Sequence, residues 1–93
     1  MKNIIQHDGE AAGVMKILGN QTRVWIVRQL AGRECRVGEL VDASGDSFAS
    51  ISRHLARLRM VGVVTTRRIG REIWYGVDRS VIRALSAYLL DRR

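Results

Sequence analysis

The sequence predicts a mainly α-helical domain with one small β-hairpin, and three observations carry that prediction. Apolar residues recur at three- and four-residue steps in five stretches separated by glycines and capping residues. Two β-rich stretches, Val63-Val-Thr-Thr-Arg-Arg-Ile69 and Glu72-Ile-Trp-Tyr-Gly-Val77, flank Gly70-Arg71, which is the pattern of a hairpin. The 93-residue chain has no proline, internal repeat or low-complexity tract, so it reads as one domain with a single modest core. A flexible segment is expected over residues 1–10 and the folded domain over 11–91.

Taken in order, Ala11, Ala12, Val14, Met15 and Leu18 support a first helix that ends near Gly19. Asn20 can cap the second, which carries Val24, Trp25, Ile26, Val27, Leu30 and Ala31 and stops at Gly32. That apolar set is broad enough to bury most of the helix, so it is the expected centre of the core. A short extended piece at 34–36 leads to the two-turn helix Val37-Gly-Glu-Leu-Val-Asp-Ala43, which Ser44-Gly-Asp46 interrupts.

Ser47 then caps a fourth helix with two chemically opposed faces. Ile51, Leu55 and Leu58 make its core stripe, while Ser47, Ser50, Ser52, Arg53, His54, Arg57 and Arg59 line the rest. Hydroxyls, an imidazole and guanidinium groups are the donors that suit base edges and phosphate oxygens. A short support helix, a glycine-containing turn and a longer reading helix form a helix-turn-helix. With the hairpin directly after it, the pattern is a winged helix-turn-helix. Trp74 is the expected core aromatic of the wing, since alternation along a half-buried strand buries one of Trp74 and Tyr75.

Asp78 caps the last helix, where Val81, Ile82, Leu85, Tyr88 and Leu89 share a face. Because this helix follows a complete domain, its stripe is expected to meet a second copy of the chain. Ile82, Leu85, Tyr88 and Leu89 would pack there with Met15 and Leu18 of the first helix in a two-fold interface.

Charge points to the other partner. Sixteen Lys+Arg oppose nine Asp+Glu for a formal net charge of +7, and 14 of the cations are arginine, which favours bidentate phosphate and guanine contacts. Residues 53–71 hold six arginines and no carboxylate. Double-stranded DNA is the expected partner. Ser50, Arg53 and His54 are candidates for base edges, Ser52 and Arg57 for phosphates or edges, and Ser47 for a phosphate beside its capping role. Arg67, Arg68 and Arg71 at the wing would reach the minor groove or the backbone.

The lone Cys35 excludes an intramolecular disulfide and fits a reducing, cytoplasmic setting. It is either a small buried hydrophobe or, if exposed beside Arg33 and Arg36, a redox-active thiolate. His7, Asp8 and Glu10 could join a partner's Cys35 around a metal, although a polar tail explains them as well. No metal site, cofactor or catalytic constellation is expected: Glu34/Glu39 and Asp42/Asp46 lack a neighbouring nucleophile or phosphate loop. No apolar stretch approaches the roughly 20 residues needed to cross a bilayer.

Five pieces in order, Leu18-Gly-Asn-Gln-Thr-Arg23, Val37-Gly-Glu-Leu40, Ser47-Phe-Ala-Ser-Ile-Ser-Arg-His-Leu55, Leu58-Arg-Met-Val-Gly-Val-Val64 and Arg68-Ile-Gly-Arg-Glu-Ile-Trp-Tyr75, resemble the ArsR/SmtB family of winged-helix repressors. The match covers roughly residues 12–90. The resemblance implies a homodimer on a palindromic operator that blocks transcription and is released by an inducer, often a metal ion or an oxidant. The chain departs from the family with Asn20-Gln21 in place of Asp-Pro and with Ala49 in place of a Ser/Thr of the reading helix. Its Cys35 lies one place ahead of the family's metal-binding cysteine, where Arg36 stands, and a guanidinium supplies no ligand. The family's other metal site, on the final helix, keeps Asp78 but meets Ser80 and no histidine, so neither metal site is intact by this reading. The alternative to a DNA-binding regulator is a winged-helix module whose basic face docks an acidic protein.

Overall fold

The computed structural model describes residues 5–91. Its elements run α1 (Asp8–Leu18), α2 (Gln21–Gly32), α3 (Val37–Ser44), α4 (Phe48–Met60), β1 (Val64–Ile69), β2 (Glu72–Val77) and α5 (Arg79–Leu90). Local chemistry accounts for the boundaries. The side chains of His7, Asn20, Ser47 and Asp78 each accept a backbone N–H from the first turn of α1, α2, α4 and α5. Arg36 has no side-chain acceptor and caps α3 only by halves, its own N–H donating to Glu39 Oε1 at 2.9 Å. Gly45 ends α3 in the left-handed region at φ 74°, where a side chain would be strained.

Helices α3 and α4 with the 45–47 turn form the helix-turn-helix. The wing is a two-stranded antiparallel sheet with Val64 opposite Val77 and Ile69 opposite Glu72. That register leaves a two-residue loop, Gly70-Arg71, whose first position takes a positive φ of 62°. Ile26, Leu40, Ile51, Leu55, Leu58, Val63 and Val64 are almost wholly buried and form the centre of one core. The three α4 residues are the predicted stripe, so α4 is anchored by the face opposite Arg53 and Arg57.

Three expectations are corrected. The chain is helical from Asp8, inside the segment expected to be flexible; His7 caps α1, and the Tyr88 hydroxyl donates to Asp8 Oδ1. Residues 1–4 of that segment lie outside the described residues. In α2 only Ile26 and Leu30 are fully buried, and Val24 is 45% exposed, so α2 covers one side of the core.

Trp74 is not the core aromatic. The backbone of Cys35 pairs with Tyr75 in both directions, Cys35 N–H to Tyr75 O at 3.0 Å and Tyr75 N–H to Cys35 O at 2.8 Å. That bridge sets the phase of β2, so Tyr75 and Val77 pack on the core. Trp74 turns to the opposite face beneath the Arg36 guanidinium, 5.1 Å from its ring centroid.

The apolar stripe of α5 divides between its own core and the outside. Leu85 is buried within its own subunit, and Leu18, Val81, Ile82 and Tyr88 are half-buried against the same core. Packing of α5 beside α1 covers this stripe only in part. Met15 and Leu89 stay exposed, joined at the end of α5 by Leu90.

A candidate nucleic-acid interface

The outer surface of α4 is built by its own sequence. With Ile51, Leu55 and Leu58 inward, the helical repeat sends Arg53 and Arg57 outward and leaves Ser50, Ser52 and His54 half-buried on the flanks. No carboxylate lies within salt-bridge distance of Arg53 or Arg57 among the described residues. Their charge is available to an external anion.

The amino-terminal end of α4 is already occupied. Ser47 Oγ accepts from the Ser50 N–H at 3.0 Å, and Asp46 takes both the Ser47 N–H (2.9 Å) and the Ser50 hydroxyl (3.0 Å). The Ser47 amide and the hydroxyl proton of Ser50 are therefore engaged within the chain. These bonds, the Ser47 amide first and then the Ser50 hydroxyl, hold the Asp46 carboxyl below its ordinary pKa. Ser50 retains lone pairs and presents an acceptor to any ligand.

His54 is fixed from a second helix. Arg23 of α2 meets His54 Nδ1 at 3.1 Å and also donates to the Ile17 carbonyl at the end of α1. A guanidinium only donates, so Nδ1 is the acceptor and the ring proton sits on Nε2. Burial, followed by the Arg23 charge, pushes the imidazole below its ordinary pKa. His54 is accordingly a neutral ring offering one N–H. Arg23 was not among the residues singled out from sequence; only contact between helices reveals its role.

The three wing arginines separate. Arg67 is bound by Glu34: its Nε lies 2.9 Å from both carboxylate oxygens and its Nη2 2.8 Å from Oε1. Arg68 donates to the Gly70 carbonyl at the turn. Arg71, in the two-residue loop, has no ion pair among the described residues. The tip therefore exposes Arg68 and Arg71, whereas Arg67 ties the wing to the α2–α3 linker.

That linker alternates as a strand does. Cys35 points in, while Glu34 and Arg36 point out onto the wing, where Arg36 also meets Glu72 at 2.7 Å. Arg33 and Arg36 additionally hold Glu39, whose carboxyl is drawn down to about 2 by the Arg33 hydrogen bond first and the Arg36 amide second. Cys35 is 6% exposed and its Sγ faces the Arg33 carbonyl. Burial pushes the thiol above its ordinary pKa and outweighs the opposing pull of Arg33. These are the surroundings of a small buried hydrophobe, and they do not favour a thiolate.

Among the described residues no three His, Cys, Asp or Glu side chains gather as metal ligands, and no helix is long and apolar enough to cross a membrane. His7 and Asp8 instead bond to Glu10 and Tyr88.

A helix-turn-helix joined to a basic wing narrows the choice of family, and residues 20–66 match the model of the bacterial regulatory proteins of the arsR family. The chain belongs to the arsR family. It is similar to the HTH-type transcriptional regulator KmtR of Mycobacterium tuberculosis, 42% identical over 72 residues that make up 77% of this chain and 55% of that protein. The chain thus spans about half the length of that relative. Among solved structures it resembles an ArsR-like transcriptional regulator from Rhodococcus sp. RHA1, with a TM-score of 0.82, 27% identity, and coverage of 87% of this chain and 76% of that one. A homodimeric winged helix-turn-helix DNA-binding domain from Mycobacterium bovis superposes with a TM-score of 0.75 at 27% identity, covering 95% of this chain and 88% of that one. The arsR match spans α2 through the start of the wing, which includes Arg23, the α3–α4 pair and His54. The predicted winged helix-turn-helix is the fold of this family member.

Proposed function

We propose that this arsR-family chain is a homodimeric, sequence-specific DNA-binding repressor that works in the cytoplasm and leaves a palindromic operator when an effector changes the dimer. The observation that carries the reading is the outer face of α4. Arg53, Arg57 and a neutral His54 are presented beside a wing tip with Arg68 and Arg71, in a stretch without a carboxylate from 53 to 71. The two α4 helices of a dimer would enter successive major grooves with the wings beside them. Ser50, Arg53 and His54 would meet base edges, Ser52 and Arg57 edges or phosphates, and Arg68 and Arg71 the backbone. Ser47 keeps its capping role and Arg67 its bond to Glu34.

The homodimeric Mycobacterium bovis relative supports a two-fold assembly. Met15, Leu89 and Leu90 supply exposed apolar area for it, with the half-buried Leu18, Ile82 and Tyr88 beneath. The buried Cys35 argues for an effector that acts elsewhere than on this thiol.

Selection of bound duplexes from a random pool tests the reading. A defined two-fold sequence should emerge, and if the dimer makes about six to ten phosphate contacts its affinity should fall by about 10³ to 10⁵ between about 50 and 200 mM salt. A chain that sediments as a monomer and selects no duplex would be the protein-interaction module instead.

A further inference from the structure

Phe48, the chain's one phenylalanine, is the first residue of α4 and is 62% exposed. It stands outside the hydrophobic core, so it contributes little to folding. Its ring offers apolar area that an apolar group of a partner can cover. Its position on the proposed reading helix limits what that partner can be.

Three neighbours narrow the choice. Asp46 lies at the same end of α4, tied to Ser47 and Ser50, and its negative charge repels phosphate. The helix start is therefore suited to the floor of a groove and not to its sugar-phosphate wall. Ser52 stands one turn further on and shares the Phe48 flank, with its hydroxyl outside the hydrogen bonds formed among the described residues. Arg57 lies on the outward face, where it can span to the backbone.

A benzene ring neither donates nor accepts a conventional hydrogen bond. In the major groove, the base-edge group that pairs with such a surface is the thymine C5-methyl. Thymine O4 lies beside that methyl and accepts a hydrogen bond, which the Ser52 hydroxyl can donate. One apolar group followed by one donor along the helix matches one methyl followed by one acceptor on the base.

We propose that Phe48 is a specificity-determining residue that reads the 5-methyl group of one thymine in each half-site, with Ser52 on the adjacent O4. The proposal rests on the DNA-binding reading above.

The experiment starts from the duplex that the full chain selects from a random pool. Each thymine is replaced in turn by uracil, which removes only the methyl. Wild-type chain should lose about fourfold in affinity at one thymine per half-site, the factor expected for uncovering one methyl-sized group. Phe48→Ala should bind the thymine and uracil duplexes equally, and Phe48→Leu should keep part of the difference. Because Phe48 is exposed, both variants should unfold at the wild-type denaturant midpoint.

Selection of a sequence with no uracil effect at any thymine overturns the role of Phe48 while leaving DNA binding intact. So does a methyl effect that persists unchanged in Phe48→Ala. A change in sedimentation of Phe48→Ala without a change in base preference would assign the ring to a protein contact, which also overturns it. Failure to select any duplex overturns the DNA-binding reading itself.

Discussion

Arg23 and His54, 31 positions apart, share a hydrogen bond of 3.1 Å that ties α2 to the reading helix. Arg23 reaches on to the Ile17 carbonyl, so one guanidinium joins the end of α1, the start of α2 and the outer flank of α4. The bond requires a neutral imidazole, and the charges around the ring agree with that. Arg23 from α2 and Arg53 and Arg57 from α4 disfavour protonation; Asp46 from the turn favours it but is outweighed.

A pH dependence follows. The folded pKa of His54 lies below its unfolded value of about 6.5, so between the two the unfolded chain binds a proton that the folded chain refuses. Stability is then fully present above about pH 6.5 and falls as pH drops toward the folded pKa. Urea midpoints measured between pH 7.5 and 5 should decline for wild type and decline less for His54→Asn, whose amide oxygen can replace Nδ1 as acceptor. Parallel curves would remove His54 as the titrating group.

Arg23→Ala should cost more than an ordinary surface change. It leaves the Ile17 carbonyl and His54 Nδ1 without their donor in a half-buried site, and losing such charge-assisted bonds costs about 2 kcal/mol. Arg23→Lys should recover little of this, because an ammonium lacks the planar fork that serves two acceptors in different directions. Chemical denaturation at pH 7.5 decides it, and full rescue by lysine would mean that charge alone matters at position 23.

Glu34→Gln should change DNA binding more than stability. The Glu34–Arg67 pair is exposed on both sides, and solvent screening leaves such pairs little weight in stability. Its removal frees Arg67 for phosphate and removes one negative charge next to the wing. The log-affinity against log-salt plot should steepen by about 0.9 for each phosphate newly contacted, whereas Arg67→Ala should alter that slope less than Arg68→Ala or Arg71→Ala. An unchanged slope in Glu34→Gln would show that Arg67 stays out of reach even when released.

These pairings mark the boundary of what the sequence discloses. Helix starts were legible because caps are local: Asn20, Ser47 and Asp78 each bond within the turn they open. The α4 stripe was legible because Ile51, Leu55 and Leu58 repeat at the helical period. The phase of β2 was not, since alternation requires one of Trp74 and Tyr75 to face inward but leaves open which. The Cys35–Tyr75 bridge decides it across 40 positions. How the α5 stripe divides between its own core and the outside was hidden for a similar reason, because a helical face looks the same whatever covers it. At the candidate interface the residue types were readable, but their existing commitments to Asp46, Arg23 and Glu34 depend on contacts between elements.

Cys35 should behave as a buried group. At 6% exposure and with its pKa raised by burial, the thiol presents little surface and little thiolate. A disulfide reagent added to the folded chain at pH 7.5 should react far more slowly than with a free thiol, and denaturant should bring the rate up to that of the unfolded chain. Cys35→Ala should preserve DNA selection, since the bridge to Tyr75 uses only backbone atoms. Rapid labelling of the native chain would restore the redox-active reading.

The proposed two-fold interface can be tested at the apolar groups that the subunit leaves outside. Leu89 is 53% exposed on α5 and Met15 47% on α1, and neither belongs to the core cluster. Leu89→Asp should therefore leave the folded subunit almost unchanged while placing a charge in any surface that buries position 89. Leu85→Ala, at a buried position, should instead cost the subunit about 2 to 5 kcal/mol. Sedimentation should show wild type as a dimer and Leu89→Asp shifted toward monomer, with matching circular dichroism spectra and a loss of affinity for a two-half-site duplex. Intact dimers of Leu89→Asp at micromolar concentration would place the interface elsewhere on the chain.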